Sequence, residues 1–142
     1  MRFQFIGYNP CSLVQTRRLL EISEAMRSAA FIAMTGTRLR ASPGAAVWSQ
    51  NQGVHHFVHF GYGRGPFTNR SAGVTIGIHK NWYVQGKIYR MASPPDIAMG
   101  RGGLVRIITK HSDISLFSLY LSPVAVGRAC STWKKTVDVL LQ

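Results

Sequence analysis

The sequence predicts a single α+β domain over residues 1–142, with two helices and about seven mostly antiparallel strands. The chain length suits one hydrophobic core, and 46% hydrophobic residues supply the apolar side chains for it. Near the N-terminus, one amphipathic segment separates two short apolar segments, which indicates a strand, a helix and a strand. Short apolar segments separated by Gly and Pro follow, and this pattern is typical of antiparallel strands.

The first unit is a strand, a helix and a second strand. Residues 2–8 are rich in aromatic and β-branched side chains, and the turn signal at Asn9 ends this strand. Thr16 is placed to cap a helix that ends near Ala29, because an apolar stripe at helical spacing follows it. Residues 31–34 are too short a run for a helix and predict a buried strand.

The middle of the chain predicts an antiparallel pair preceded by one more strand. Residues 46–49, 55–60 and 73–79 are the three strand segments. In the second of them strand periodicity puts His55, Phe57 and His59 on one face and His56, Val58 and Phe60 on the other. The connection over residues 61–69 is rich in Gly and Pro and is predicted to turn.

The last third predicts three strands and a closing helix. Residues 82–91 indicate a strand that Gly86 interrupts. Residues 104–109 and 114–121 indicate two strands joined by a turn. Residues 129–141 carry apolar side chains at helical spacing and predict a helix.

Charge is the strongest bulk property of the chain. Seventeen Lys and Arg face five acids, and the formal net charge is +12. The basic residues are spread along the sequence, which favours non-specific binding of a polyanion such as nucleic acid. The candidate contacts are Arg64, Arg70 and Lys80, with Tyr62 or Phe67 as a stacking face.

Cysteine usage and hydropathy predict an intracellular protein, nuclear or cytoplasmic. Cys11 and Cys130 are the only cysteines, too few for a disulfide framework or a zinc cluster. The N-terminal segment is too polar for a signal peptide, and no apolar run reaches the length of a membrane span. We therefore expect no membrane partner.

Four segments carry a resemblance to a known family. They are Phe5-Ile6-Gly7-Tyr8-Asn9, residues 31–39, residues 71–78 and residues 116–123. In this order they resemble the endonuclease/exonuclease/phosphatase superfamily, and most closely the endonuclease domains of non-LTR retrotransposons and apurinic-type nucleases. The match covers nearly all of this chain but only about the first half of the family's domain. It implies a partial domain, the N-terminal part of a four-layer α/β sandwich.

The resemblance also implies a hydrolytic site that depends on magnesium. Asn9 matches the family's metal-site asparagine, and Tyr120 matches a tyrosine near the scissile phosphate. Gly36 stands where the family has its metal-binding glutamate. The family's later Asp-x-Asn and Ser-Asp-His motifs have no counterpart in the sequence, so Asn9 and Tyr120 are expected to be vestigial and magnesium is not expected to bind.

Three functions stay open at this point. The first is a degenerate, inactive relative of magnesium-dependent endonucleases that retains weak, non-specific nucleic-acid binding. The second is an active endonuclease or phosphatase half-domain that needs a C-terminal partner. The third is a basic binding module without enzymatic activity. The incomplete sandwich also predicts self-association through an uncovered sheet edge.

The histidine cluster is a rival site. His55, His56 and His59 could suggest zinc, but the segment alternates like a strand and no third ligand is evident on the face that His55 and His59 share. Partly exposed strand histidines are the favoured interpretation.

Overall fold

The computed structural model describes residues 3–63, 72–85, 87–95 and 98–120. Within these ranges lie two helices and eight strands. They are, in chain order, β1 Gln4–Tyr8, α1 Thr16–Ala25, β2 Ala29–Thr35, β3 Val47–Gln52, β4 His55–Phe60, β5 Val74–His79, α2 Lys80–Gln85, β6 Lys87–Ala92, β7 Gly102–Ile108 and β8 Asp113–Leu119. The predicted closing helix over residues 129–141 lies outside the described residues.

The strands form two sheets. The first has five strands in the order β1-β2-β5-β4-β3, and the second has three in the order β6-β7-β8. Strands β1 and β2 are parallel, and every other described pair is antiparallel. An α+β fold with mostly antiparallel pairing after the first unit is therefore confirmed.

Helix α1 covers one face of the five-stranded sheet. Its buried residues Leu19 and Ile22 pack in one cluster with Ile32, Met34 and Phe57. Because alternate residues of a strand point to opposite faces, the neighbouring residues of these strands face the other way.

The three-stranded sheet packs on that other face. The core between the two sheets contains Phe31, Val58, Phe60, Val74, Ile76 and Ile78 from the first sheet and Val105, Ile107 and Leu116 from the second. Gly103 lies directly against the ring of Phe60, so a side chain on β7 at this position would overlap the first sheet.

Two predicted elements differ in the structure. Helix α1 ends at Ala25, because Met26 leaves the helical conformation (φ −114°, ψ 35°), and Ala29 already pairs with Gln4 of β1. Thr16 is the first helical residue, and the capping position is held by Gln15, whose side chain makes no capping hydrogen bond. The helix itself was predicted, but the predictions that Thr16 caps it and that it ends near Ala29 were wrong.

The segment predicted as one strand over residues 82–91 consists of α2 and β6. Trp82 lies in the helix and packs its ring 5.2 Å from the ring of Phe31, centroid to centroid. Burying this ring against the first sheet gives the short helix the contacts that its own length cannot provide.

The histidines of β4 are buried, and the expectation of partial exposure was wrong. Strand β4 is the fourth of the five strands, with α1 on one side and the second sheet on the other. All six residues from His55 to Phe60 are buried. An interior strand covered on both faces leaves neither set of alternate side chains in water.

Candidate functional site

Asn9 and Gly36 meet at one end of the five-stranded sheet, just beyond the last residues of strands β1 and β2. Strands β1 and β2 run in parallel with Tyr8 beside Met34, so that the residues following both strands lie next to each other. A methyl group placed on Gly36 would lie 3.0 Å from Oδ1 of Asn9. That oxygen accepts a hydrogen bond of 2.9 Å from the backbone N–H of Cys11. We call this side of the molecule the Asn9–Gly36 edge.

The backbone at this edge is held by loops on both sides. Gly36 has φ +69°, in the left-handed region that favours glycine. The N–H of Leu13 donates to the carbonyl of Thr37 at 2.8 Å, and the N–H of Thr37 donates to the carbonyl of Gly73 at 3.2 Å. Gly73 in turn donates to the carbonyl of Gly100 at 2.9 Å. The edge is therefore tied to the segment that connects β6 to β7 in the second sheet.

Thr37 is a buried polar group within this arrangement. Its side chain is fully buried, and its hydroxyl has no hydrogen-bond partner among the described residues. A methyl group placed on Gly73 would overlap the Thr37 hydroxyl, which explains why glycine occupies that position at φ +105°.

Tyr120 reaches the same edge from the second sheet. Ser118, two residues earlier on β8, donates from its hydroxyl to the carbonyl of Met34 at 3.3 Å, which places the end of β8 beside the end of β2. The N–H of Tyr120 donates to the carbonyl of Arg101 at 2.8 Å. The Arg101 guanidinium carbon lies 5.1 Å from the centroid of the Tyr120 ring, a cation–π contact.

Arg101 is 4% exposed. Burial lowers the pKa of its guanidinium from the ordinary value, while Tyr120 acts in the opposite direction. Arginine stays protonated even so, and the Asn9–Gly36 edge therefore carries a buried positive charge.

The acidic residues lie elsewhere in the part of the chain that the structure describes. Glu21 and Glu24 are exposed on α1. Asp113 begins β8, about 20 Å along the strand from Tyr120. It accepts a hydrogen bond of 2.8 Å from Nε of Arg106, and this bond lowers the pKa of the Asp113 carboxyl. Asp96 and Asp138 lie outside the described residues.

The donor set at the edge does not fit a magnesium ion. Magnesium prefers carboxylate oxygens in octahedral geometry, and the described side chains at this edge offer the amide of Asn9 and the neutral hydroxyl of Thr37. Among the described residues, no group of three His, Cys, Asp or Glu is placed to hold a metal ion.

Of the predicted nucleic-acid contacts, Lys80 is the one that lies among the described residues. Lys80 is exposed and follows β5, whose last residue His79 pairs with His55, and its N–H donates to the carbonyl of Val54 at 2.8 Å. Since β5 runs antiparallel to β2, Lys80 lies at the opposite end of the sheet from Gly36. Arg64 and Arg70 lie outside the described residues.

Sequence reasoning missed three arginines at the edge. Arg38 and Arg40 follow Gly36 and are exposed, and Arg101 is buried beside Tyr120. Arg40 lines an open cleft of 370 Å³ together with Gly63 and Met99. The closeness of Arg38 to Gly36 in the sequence was the available signal, whereas Arg101 reaches the edge only through the packing of the second sheet.

The histidines of β4 are structural. His55 Nδ1 accepts a hydrogen bond of 2.7 Å from the Ser23 hydroxyl, and its Nε2 donates to the carbonyl of Ala29 at 2.9 Å. His56 contacts Asn51 Oδ1 through Nδ1 at 2.7 Å. Burial lowers the pKa of both imidazoles, so both rings are neutral near pH 7.

His59 is fully buried and forms a hydrogen bond through each ring nitrogen. Its Nδ1 donates to the Thr75 hydroxyl at 2.7 Å, and its Nε2 accepts from the Gln50 amide at 2.9 Å. Burial, with a smaller contribution from His56, lowers the pKa of His59 to about 4. With both ring nitrogens occupied, neither His55 nor His59 has one left for a metal.

Comparison with known proteins adds no relative. No protein-family model matches the chain, and no curated protein matches its sequence. Within the described ranges, no helix has the length and apolar character needed to cross a membrane.

Proposed function

We propose that this chain is a degenerate, catalytically inactive relative of magnesium-dependent phosphodiester-cleaving endonucleases that retains weak, non-specific nucleic-acid binding. The observation that carries the proposal is the meeting of Asn9 and Gly36 at the ends of two parallel strands. The resemblance assigns a metal-site asparagine and a metal-binding glutamate to these two positions. Here the second position has no side chain and a left-handed backbone.

The finer fold belongs to the same proposal. A helix, a five-stranded sheet and a three-stranded sheet lie in successive layers. This order supports assignment to the N-terminal part of a four-layer α/β sandwich, with the Asn9–Gly36 edge as its former catalytic rim.

Loss of catalysis follows from the chemistry of the edge. Phosphodiester hydrolysis of this class uses a metal ion to neutralise charge on the phosphate, and a base to activate water. Neither the amide of Asn9 nor the hydroxyl of Thr37 carries the negative charge that would hold such an ion. The described carboxylates lie on α1 and at the far end of β8.

Residual binding follows from charge. The formal net charge is +12, and Arg38 and Arg40 are exposed at the edge. Arginine side chains attract phosphate oxygens without reading the bases, so the binding is expected to be independent of sequence. It is also expected to be weak, because the described part of the chain gathers few cations in one place.

A nicking assay with a parallel gel-shift tests both halves of the proposal. The purified chain is incubated with supercoiled DNA and with DNA containing abasic sites, in magnesium and in chelator. We expect no magnesium-dependent nicking. We expect a gel shift that disappears steeply as salt rises, with a smaller salt dependence in the Arg38→Gln, Arg40→Gln double variant.

Two results would overturn the proposal. Nicking that requires magnesium and is lost in Asn9→Ala would show an active nuclease, the second function considered above. If the chain bound neither DNA nor RNA even at low salt, the proposed nucleic-acid binding would be contradicted. The third function considered above, a basic module with another partner, would then remain.

A further inference from the structure

A second cleft lies at the end of the five-stranded sheet that is opposite to the Asn9–Gly36 edge. Its volume is 330 Å³. The start of β1, the turn after α1 and the start of α2 supply most of its lining. The lining residues that matter here are Phe3, Gln4, Arg27, Ser28, His79 and Trp82. We call it the Phe3–Trp82 cleft.

Aromatic rings form one wall of this cleft. The rings of Phe3 and Trp82 are 5.5 Å apart at 74°, and Phe3 also meets Phe31 edge-on at 5.4 Å. Phe31 is fully buried beneath them and fixes their positions. Phe3 is nevertheless 48% exposed, so that a large aromatic surface faces water. A wall of this kind is what a planar ring system stacks on.

Cations stand beside the aromatic wall. Arg27 lines the cleft, and Lys80, exposed, directly follows His79 in the chain. Arg27 lies 3.4 Å from Glu24, but both side chains are more than half exposed, and such surface pairs are weak. The Arg27 guanidinium therefore keeps donors for a phosphate. The Ser28 hydroxyl donates a hydrogen bond of 2.8 Å to Gln4 Oε1, and these two residues make part of the cleft lining polar.

We propose that the Phe3–Trp82 cleft binds a nucleotide of single-stranded nucleic acid, with the base stacked on the aromatic wall and the flanking phosphates on Arg27 and Lys80. This inference rests on the proposed nucleic-acid binding and gives it a strand preference and a second location. Exposed aromatic rings beside cations are the common arrangement for sequence-independent single-strand binding. A duplex keeps its bases stacked on each other and cannot offer a face to the cleft.

Tryptophan fluorescence gives a direct readout. The Trp48→Phe, Trp133→Phe double variant leaves Trp82 as the single reporter. It is titrated at low salt with an oligothymidylate of about eight nucleotides, and with a fully abasic oligomer of the same length and charge. We expect the oligothymidylate to quench Trp82 and to bind more tightly than the abasic oligomer. Anisotropy of labelled oligomers with the native-tryptophan protein provides the same comparison if the double variant folds poorly.

Matched phenylalanine variants localise the effect. Phe3→Leu keeps the apolar volume and removes the stacking face, and we expect it to weaken oligothymidylate binding about five- to a hundredfold. Phe5→Leu is the control, because Phe5 lies two residues after Phe3, on β1, and is 49% exposed without lining the cleft. The abasic oligomer should bind both variants equally.

The outcomes separate the two proposals. The cleft proposal would be overturned if both oligomers bound equally tightly, Trp82 were not quenched and Phe3→Leu bound oligothymidylate as tightly as the native protein. The proposal of non-specific binding would still stand. Tighter binding of a duplex than of the single strand would overturn the cleft proposal as well. If neither oligomer bound, both the cleft proposal and the proposed nucleic-acid binding would be contradicted.

Discussion

The Ser23 hydroxyl donates a hydrogen bond of 2.7 Å to Nδ1 of His55, and this bond joins helix α1 to strand β4. The same oxygen accepts a hydrogen bond of 3.0 Å from the N–H of Val54. Both side chains are fully buried. One hydroxyl thus serves both a fully buried imidazole and the partly buried N–H of Val54, and the position of α1 over the sheet depends on it.

Replacing this hydroxyl is expected to be costly. Ser23→Ala should lower the free energy of unfolding by about 1–3 kcal/mol, because His55 Nδ1 and the Val54 N–H lose their partner inside the protein. Urea denaturation measures the change. The control is Ser28→Ala, since Ser28 is exposed and its hydroxyl donates to Gln4 on the surface. Equal losses in the two variants would contradict a special role for Ser23.

Acid should destabilise the protein through His59. Its folded-state pKa of about 4 lies below the ordinary value of 6.5, so the unfolded chain takes up the proton first as pH falls. The contribution is fully present above pH 6.5 and is lost as pH falls towards 4, by about 3 kcal/mol in all. His55 and His56 act in the same direction.

Urea denaturation between pH 7.5 and 4 measures this dependence. His59→Gln should flatten it, although the variant is less stable at pH 7.5. His111→Gln, at an exposed histidine, is the matched control. Identical pH profiles for the native protein and His59→Gln would show that His59 does not carry the effect.

Restoring the acid at position 36 should fail to restore a nuclease. Gly36→Glu places a side chain on a left-handed backbone and its Cβ 3.0 Å from Asn9 Oδ1, and we expect a loss of about 1–3 kcal/mol. Gly44→Glu is the control, because Gly44 has φ +78° and nothing within 4 Å. The difference between the two variants measures the contact with Asn9. Robust magnesium-dependent cleavage by Gly36→Glu would contradict both this prediction and the proposed loss of function.

Gly77 is required by close packing. A methyl group there would lie 2.8 Å from Cε1 of Phe57, so Gly77→Ala should lower the free energy of unfolding by about 1–3 kcal/mol. Gly7→Ala is the matched strand control, because no atom lies within 4 Å of its added methyl group. Thermal denaturation compares the two variants. A stable Gly77→Ala protein would mean that Phe57 moves aside at little cost.

The strands were predictable where alternation or long apolar runs decide the structure. Strands β5, β7 and β8 lie within two residues of the predicted segments, because their inward residues recur at every second position. Helix α2 was missed because six residues are too few to show a helical period. The burial of the β4 histidines depends on where β4 lies in the sheet, which residue type alone does not reveal.

The candidate site was predictable in part. Asn9 and Gly36 were singled out from their motifs, and the parallel pairing of β1 and β2 brings them together. Arg101 was not found, because its place beside Tyr120 depends on how the second sheet packs on the first. The association predicted for an uncovered sheet edge stays a prediction, although β8 is an edge strand that leaves Phe117 exposed.

The parallel pairing of β1 and β2 also bears on the order in which the chain folds. Strands β3 and β4 are separated by only two residues, and β7 and β8 by four, so these hairpins can form from local contacts within microseconds. Pairing β1 with β2 must wait until α1 has bridged them, and loop closure over a longer stretch is slower. The surface where Asn9 meets Gly36 should therefore be among the last to assemble, and refolding kinetics followed there would lag behind those of the hairpins.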